Sequence, residues 1–153
     1  MKKILIASIL LIFIWACGGD KGGNTPSAST SKPKAEEPKK DDGKGVGEIK
    51  NVSLNDPLNE SMIATGKAIY EMKCAACHKL GAKRMVGPGF EGVTDRRKPE
   101  WIMNMITNVN VMLEKDPEAQ KLLEECLTRM PNQNVSIGDA RSILEFLFQN
   151  DQE

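Results

Sequence analysis

The stretch CAACHKLG, residues 74–81, contains Cys74, Cys77 and His78, and His78 is the sole histidine among 153 residues. Two thiols and one imidazole within five positions form a concentrated donor set. Structural metal binding, a redox disulfide, a cysteine nucleophile and covalent attachment of a prosthetic group all use such side chains. The surrounding sequence separates them.

The compartment comes first. Lys2 and Lys3 precede an apolar run from Ile4 to Ile14, followed by Trp15 and Ala16. A charged start, an apolar run too short to span a bilayer and a small residue before a cleavage point describe an export signal over residues 1–16. Ile14-Trp15-Ala16-Cys17 resembles a bacterial lipobox, which implies lipidation at Cys17; two or more acyl chains make a durable membrane anchor. The expected location is therefore the periplasmic side of a bacterial membrane, where thiols are normally oxidised or otherwise occupied. Both leader lysines are lost on cleavage, so 19 basic residues remain against 21 acidic ones. That balance offers nothing to nucleic acid.

Residues 17–50 are dominated by Gly, Ser, Thr, Pro, Lys, Glu and Asp. Such a segment buries too little apolar surface to offset its ordering entropy, and it reads as a disordered, lipidated tether. A flexible chain of that length has a mean end-to-end distance of roughly 30–35 Å. The folded domain is expected over residues 51–153. With four phenylalanines, one tyrosine and two tryptophans in the chain, its core is thin, and domains this small usually need a staple, a metal or a cofactor.

The periodicity is helical. Met62, Ile63, Ile69 and Tyr70 mark a helix over Ser61 to Cys74. Pro99 opens a second, with Trp101, Ile102, Met105 and Ile106. Asp116-Pro117-Glu118 opens a third, with Leu122, Leu123, Cys126 and Leu127 on one face. Ser136, with Asp139 three residues on, opens a fourth, striped by Ile143, Leu144, Leu147 and Phe148. No stretch alternates with period two. The Gly- and Pro-rich stretch from Lys79 to Lys98 reads as a loop, and so long a loop in a small domain needs something to wrap around. The fold class is all-α.

Each chemistry for the cluster meets these constraints differently. Structural zinc needs four ligands, usually as two pairs, and His78 beside Cys77 is poorly spaced for a second pair. A thioredoxin-like disulfide needs a strand packed on a helix. A nucleophilic cysteine needs a separate histidine, which the chain lacks. Cys-x-x-Cys-His is the attachment signature of c-type haem. Each cysteine forms one thioether to the porphyrin, and the histidine coordinates the iron. A covalent haem also supplies the missing core and gives the loop a surface to pack on.

The second axial ligand has to come from elsewhere. With one histidine, two-histidine ligation within the chain is excluded. Met103 and Met105 share a helical stretch and read as core. Met130 differs: it is expected to end a helix and is followed by Pro131, which stiffens the turn. Met112 and Met85 are reserve candidates.

From about residue 58 to 149 the chain resembles the class I monohaem cytochromes c. Gly66 and Tyr70 ahead of Cys74, Cys77 and His78 are similar to that family's N-terminal helix. Gly87-Pro88-Gly89-Phe90-Glu91-Gly92-Val93 is similar to its Gly-Pro-x-x-x-Gly-Val loop, Met130-Pro131 to its distal methionine, and Ser136 to Gln149 to its C-terminal helix, which packs across the first. The resemblance implies one covalent haem c on Cys74 and Cys77, axial ligands His78 and Met130, and a Pro88 carbonyl that accepts the other N–H of the histidine. Asn108 to Arg129 is longer than in the smallest members and carries an extra acidic helix. Asn132, Gln133 and Asn134 either bond the haem surroundings or simply solvate a loop. Cys126 reads as a buried free thiol.

Methionine and histidine together fill both axial positions, and methionine favours the ferrous state. The expected role is that of a one-electron carrier and not an enzyme. Six basic residues between Lys79 and Lys98, against Glu91 and Asp95, face five acids between Glu114 and Glu125. If the first group rims the cofactor, it presents a positive side to acidic redox partners. Expected partners are a quinol-oxidising donor and a periplasmic reductase or terminal oxidase. Trp101 to Ile106 and Met130 to Asn134 are also similar to small lipid-anchored cytochromes of nitrous-oxide reductase systems. The alternatives are a haem-based gas or redox sensor with a labile methionine, and a purely structural lipoprotein without haem.

Overall fold

Six helices supply all the regular secondary structure of residues 42–153, the residues described by the computed structural model. The expected signal 1–16, the lipidation site Cys17 and the tether as far as residue 41 lie outside the described residues. The helices are α1 (Glu60–Lys73), α2 (Val93–Arg96), α3 (Pro99–Thr107), α4 (Val109–Lys115), α5 (Pro117–Cys126) and α6 (Ile137–Gln152).

Their starts follow from local chemistry. The Asn59 side chain accepts the Met62 N–H at 3.0 Å, Asp116 accepts Ala119 N–H at 2.8 Å, and Ser136 accepts Asp139 N–H at 3.1 Å. Each satisfies an amide that the first helical turn leaves unpaired. Pro99 and Pro117 occupy first helical positions, where a missing N–H costs nothing. Two short helices had no clear signal in the sequence. Asn108 breaks what would be one long helix into α3 and α4, its backbone at φ −140° and ψ 42°. α2 is a single turn inside the expected Lys79–Lys98 loop.

Packing centres on α1 crossing α6. The crossing is close because residue 66 is glycine: a Cβ there would overlap the Ser142 carbonyl and lie 2.9 Å from Ile143 N. Around it are Ile69 from α1, Trp101 and Ile102 from α3, Met112 from α4, and Ile143, Leu144 and Leu147 from α6, all buried. Burying each such side chain contributes about 1.5–3 kcal/mol. Asp116 joins two elements at once: besides capping α5, it accepts the Trp101 indole N–H at 3.0 Å.

The packed region begins earlier than the expected boundary at residue 51. Ile49 belongs to the core. The Asn104 side chain accepts Ile49 N–H at 3.1 Å and donates to the carbonyls of Ile49 at 2.9 Å and Lys44 at 3.0 Å. Gly47 lies so close to Asn104 that a Cβ would overlap it, and Gly45 sits at φ +73°. Residues 42–50, expected to be tether, are a strap across α3 and α4. The polar composition hid this because the strap is held mainly by backbone bonds to one buried amide, with Val46 and Ile49 as its apolar contacts.

Candidate haem-attachment site

The attachment sequence begins where α1 ends. Cys74 N–H and Ala75 N–H both donate to the Tyr70 carbonyl, at 2.8 and 2.9 Å, and Cys77 N–H and His78 N–H both donate to Cys74 O at 3.0 Å. These bonds fold residues 74–78 into a tight turn. Cys74 and Cys77 are free thiols, each half-buried. Burial pushes the Cys74 thiol up, the neighbouring Lys73 ammonium opposes this, and Cys77 adds to it.

His78 is the most constrained side chain here, 9% exposed. Its ring stacks on Phe90 with centroids 4.6 Å apart and planes 15° from parallel. Gly87 lies against the ring, and a Cβ there would overlap it. Nδ1 is 2.9 Å from the Pro88 carbonyl. A carbonyl only accepts, so Nδ1 carries the proton and Nε2 keeps its lone pair. Burial pulls the imidazole's pKa down, with the Pro88 bond partly opposing it, so the neutral ring is favoured. The His78 backbone is fixed as well, because the Tyr70 hydroxyl donates to its carbonyl at 2.8 Å. The following loop is laced to it by Gly87 N–H to Cys77 O at 3.0 Å and Phe90 N–H to Lys79 O at 2.8 Å.

This donor set fits a covalent haem: two free thiols one turn apart and a neutral imidazole whose outer nitrogen is already committed. It does not fit zinc, since no group of three or more His, Cys, Asp or Glu side chains among the described residues is arranged to hold a metal ion.

Met130 lies in the irregular segment between α5 and α6. It does not end a helix as expected: α5 stops at Cys126 because Leu127 turns left-handed at φ 54°. Met130 is half-buried and packs against the core. Its segment is brought to the attachment turn by Lys73, whose ammonium donates to the Gln133 carbonyl at 3.0 Å. The reserve Met112 is engaged elsewhere, fully buried with its sulfur accepting Val46 N–H at 3.0 Å. Met85 is 42% exposed. Asn132 accepts Asn134 N–H at 2.8 Å, so its side chain serves its own loop. Cys126 is half-buried rather than buried.

The basic group splits in two. Arg97 pairs with Glu118 at 3.0 Å and lies over the Trp101 ring, Arg96 bonds the Glu91 carbonyl, and Lys98 donates to the Asp42 carbonyl at 2.6 Å. Lys79, Lys83 and Arg84 are exposed and form no ion pair with another described residue.

Residues 61–147 match the family model described as cytochrome c oxidase, cbb3-type, subunit III. The chain belongs to the cytochrome c family. A cytochrome c from Rhodothermus marinus is similar in structure, with a TM-score of 0.67 and 36% identity over 69% of this chain and 90% of that one. The cytochrome c domain of a Pseudomonas putida protein gives a TM-score of 0.52 at 26% identity, over 57% of this chain and 89% of that one. A cytochrome c-553-like protein of Synechocystis is 30% identical over 61 residues, which are 39% of this chain and 58% of that relative. The chain thus spans under two thirds of that relative's length. Membership of the cytochromes c implies a covalent haem c. No helix among the described residues is long and apolar enough to cross a membrane.

Stacking of Phe90 on His78 and the Tyr70 bond to its carbonyl were not visible in the spacing. Both residues stand in stretches that carry the family resemblance, but only the folded chain shows what they touch.

Proposed function

We propose that this cytochrome c is a membrane-tethered, monohaem carrier of single electrons between a quinol-oxidising donor and a periplasmic reductase or terminal oxidase. Cys74 and Cys77 would hold the haem, His78 and Met130 would coordinate its iron, and Cys17 would carry the lipid. When bound, the haem supplies the one-electron couple. The single observation behind the reading is the His78–Pro88 pair, because it leaves a neutral imidazole with one nitrogen free and the other locked.

The chain's own contribution is rigidity and access. Phe90, Gly87 and the Tyr70 bond keep the imidazole from swinging, so a change of iron charge requires little rearrangement of the protein. Met130 is the proposed second ligand; what supports it over the reserve Met112 is that the Met112 sulfur is buried and accepts Val46 N–H. Lys79, Lys83 and Arg84, with Met85 and Val86 beside them, form an exposed cationic and apolar loop suited to an acidic partner surface. The similarity of Trp101 to Ile106 and Met130 to Asn134 to cytochromes of nitrous-oxide reductase systems favours such a reductase as acceptor.

The test is spectroscopic. Protein made with the cytochrome c maturation machinery should show a methionine-to-ferric-iron band that Met130→Ala removes, and its reduced form should resist carbon monoxide. Rapid carbon monoxide binding by the unaltered protein would instead mark a ligand-binding sensor.

A further inference from the structure

The last turn of α6 touches the histidine loop at both ends, where no sequence motif points. Asp151 Oδ1 accepts Gly92 N–H at 2.8 Å, and Oδ2 accepts Thr94 N–H at 2.9 Å and the Thr94 hydroxyl at 2.7 Å. Next to it, Asn150 Nδ2 donates to the Leu80 carbonyl and to Asp151 Oδ1, both at 3.4 Å. Leu80 is two residues past His78, and Gly92 is two residues past Phe90. The outgoing and returning limbs of the loop that carries Pro88 and Phe90 are therefore fastened to one point, the last turn of α6.

We propose that Asn150 and Asp151 are positioning residues that hold the Pro88 carbonyl and the Phe90 ring against His78, and so set how strongly the imidazole donates to iron.

Residues 81–86, between the limbs, are all exposed. The loop's own backbone bonds across the turn are Gly87 to Cys77, Met85 to Gly87 at 3.2 Å and Phe90 to Lys79. Three of Asp151's accepted bonds thus fix the half-buried returning limb at Gly92 and Thr94, next to the core contacts of Phe90 and Val93, while the exposed stretch between the limbs has no such anchor. Burial pushes the Asp151 carboxyl up, but the Thr94 and Gly92 donors outweigh it and keep it below the usual range, so the anion is the form in place at neutral pH. The physical link is the Nδ1–H bond: an acceptor there raises the basicity of a coordinating imidazole. A more basic imidazole stabilises the ferric state, so slackening the loop raises the reduction potential.

The inference rests on His78 as an axial ligand. Its test uses purified holoprotein of Asp151→Ala, Asp151→Asn and Asn150→Ala, with Ser136→Ala as control. The control removes the cap at the opposite end of α6 and touches nothing in the loop. Midpoint potential and the paramagnetically shifted His78 ring-proton resonances are read for each. Asp151→Ala should raise the potential and move those resonances. Asp151→Asn, which keeps one accepting oxygen, should do so less. Ser136→Ala should lower thermal stability while leaving both readouts in place. If Asp151→Ala yields no holoprotein, the other two variants carry the same expectation. Potentials and resonances identical to wild type in every Asn150 and Asp151 variant that loads haem would overturn the clamp and leave the ligation intact. A wild-type protein without haem would instead remove the ligation on which the clamp depends.

Discussion

The Lys73 ammonium donates to the Gln133 carbonyl at 3.0 Å, joining the residue before Cys74 to the segment that carries Met130. One exposed hydrogen bond thus links the two sides between which the cofactor is proposed to sit. Lys73→Met should change global stability by under about 0.5 kcal/mol, as exposed substitutions usually do. It should nevertheless make Met130 easier to displace. Added imidazole or cyanide is expected to bind the ferric variant faster than wild type in stopped-flow measurements. Equal rates would mean that the Met130 segment holds its place without Lys73.

Gly66→Ala tests the helix crossing. The added methyl meets backbone at Ser142, and backbone cannot move aside as a side-chain tip can. A loss of about 1–3 kcal/mol is expected, measured by denaturant unfolding of the holoprotein.

Gly87→Ala introduces its methyl into the space of the His78 ring. The ring has Phe90 on one face and cannot retreat without breaking the Pro88 bond. Haem loading during maturation should fall, and the axial spectrum of what loads should change. Wild-type yield with an unchanged spectrum would contradict the tight fit around the imidazole.

Acid sensitivity has a named source in Glu145, buried under the 55–59 segment. Burial alone would push its carboxyl up. The Arg141 guanidinium at 2.5 Å and the donors of Asn55 and Asn59 outweigh this and hold it below the usual range. A lowered native pKa means that the unfolded state binds the proton more readily. The stabilisation is therefore complete above the ordinary value of 4.5, and is lost as pH falls through the lower native one. Glu145→Gln should cost roughly 1–3 kcal/mol at neutral pH, since partners are left unsatisfied. It should also flatten the acid limb of the stability–pH profile.

Much of this was legible in the sequence. Cys74, Cys77 and His78 identified the cofactor chemistry because no other donor set is present to compete. Pro99, Pro117, Asp116 and Ser136 marked three helix starts because capping is local chemistry. What escaped was held by distant partners. The strap over residues 42–50 depends on Asn104, and the clamp on the histidine loop depends on Asn150 and Asp151, separations of 55 and 59 residues. The stop of α5 escaped too, because Leu127 adopts a left-handed conformation that favours glycine.

The docking expectation concerns Lys79, Lys83 and Arg84. Reversing all three charges should slow electron transfer to an acidic physiological partner by at least about tenfold at low ionic strength and flatten its salt dependence. Reversing Glu124 and Glu125 on α5 should not slow it. Equal slowing by both sets would assign the effect to net charge instead of this loop.

The central claim is a porphyrin bonded to Cys74 and Cys77 above His78. It is met most directly by the intact mass of denatured, acid-extracted protein from cells with the maturation machinery. The mass should exceed the polypeptide by one haem, and Cys74→Ser with Cys77→Ser should abolish the gain. A polypeptide of unmodified mass, its colour removed with the solvent or never present, would contradict the account.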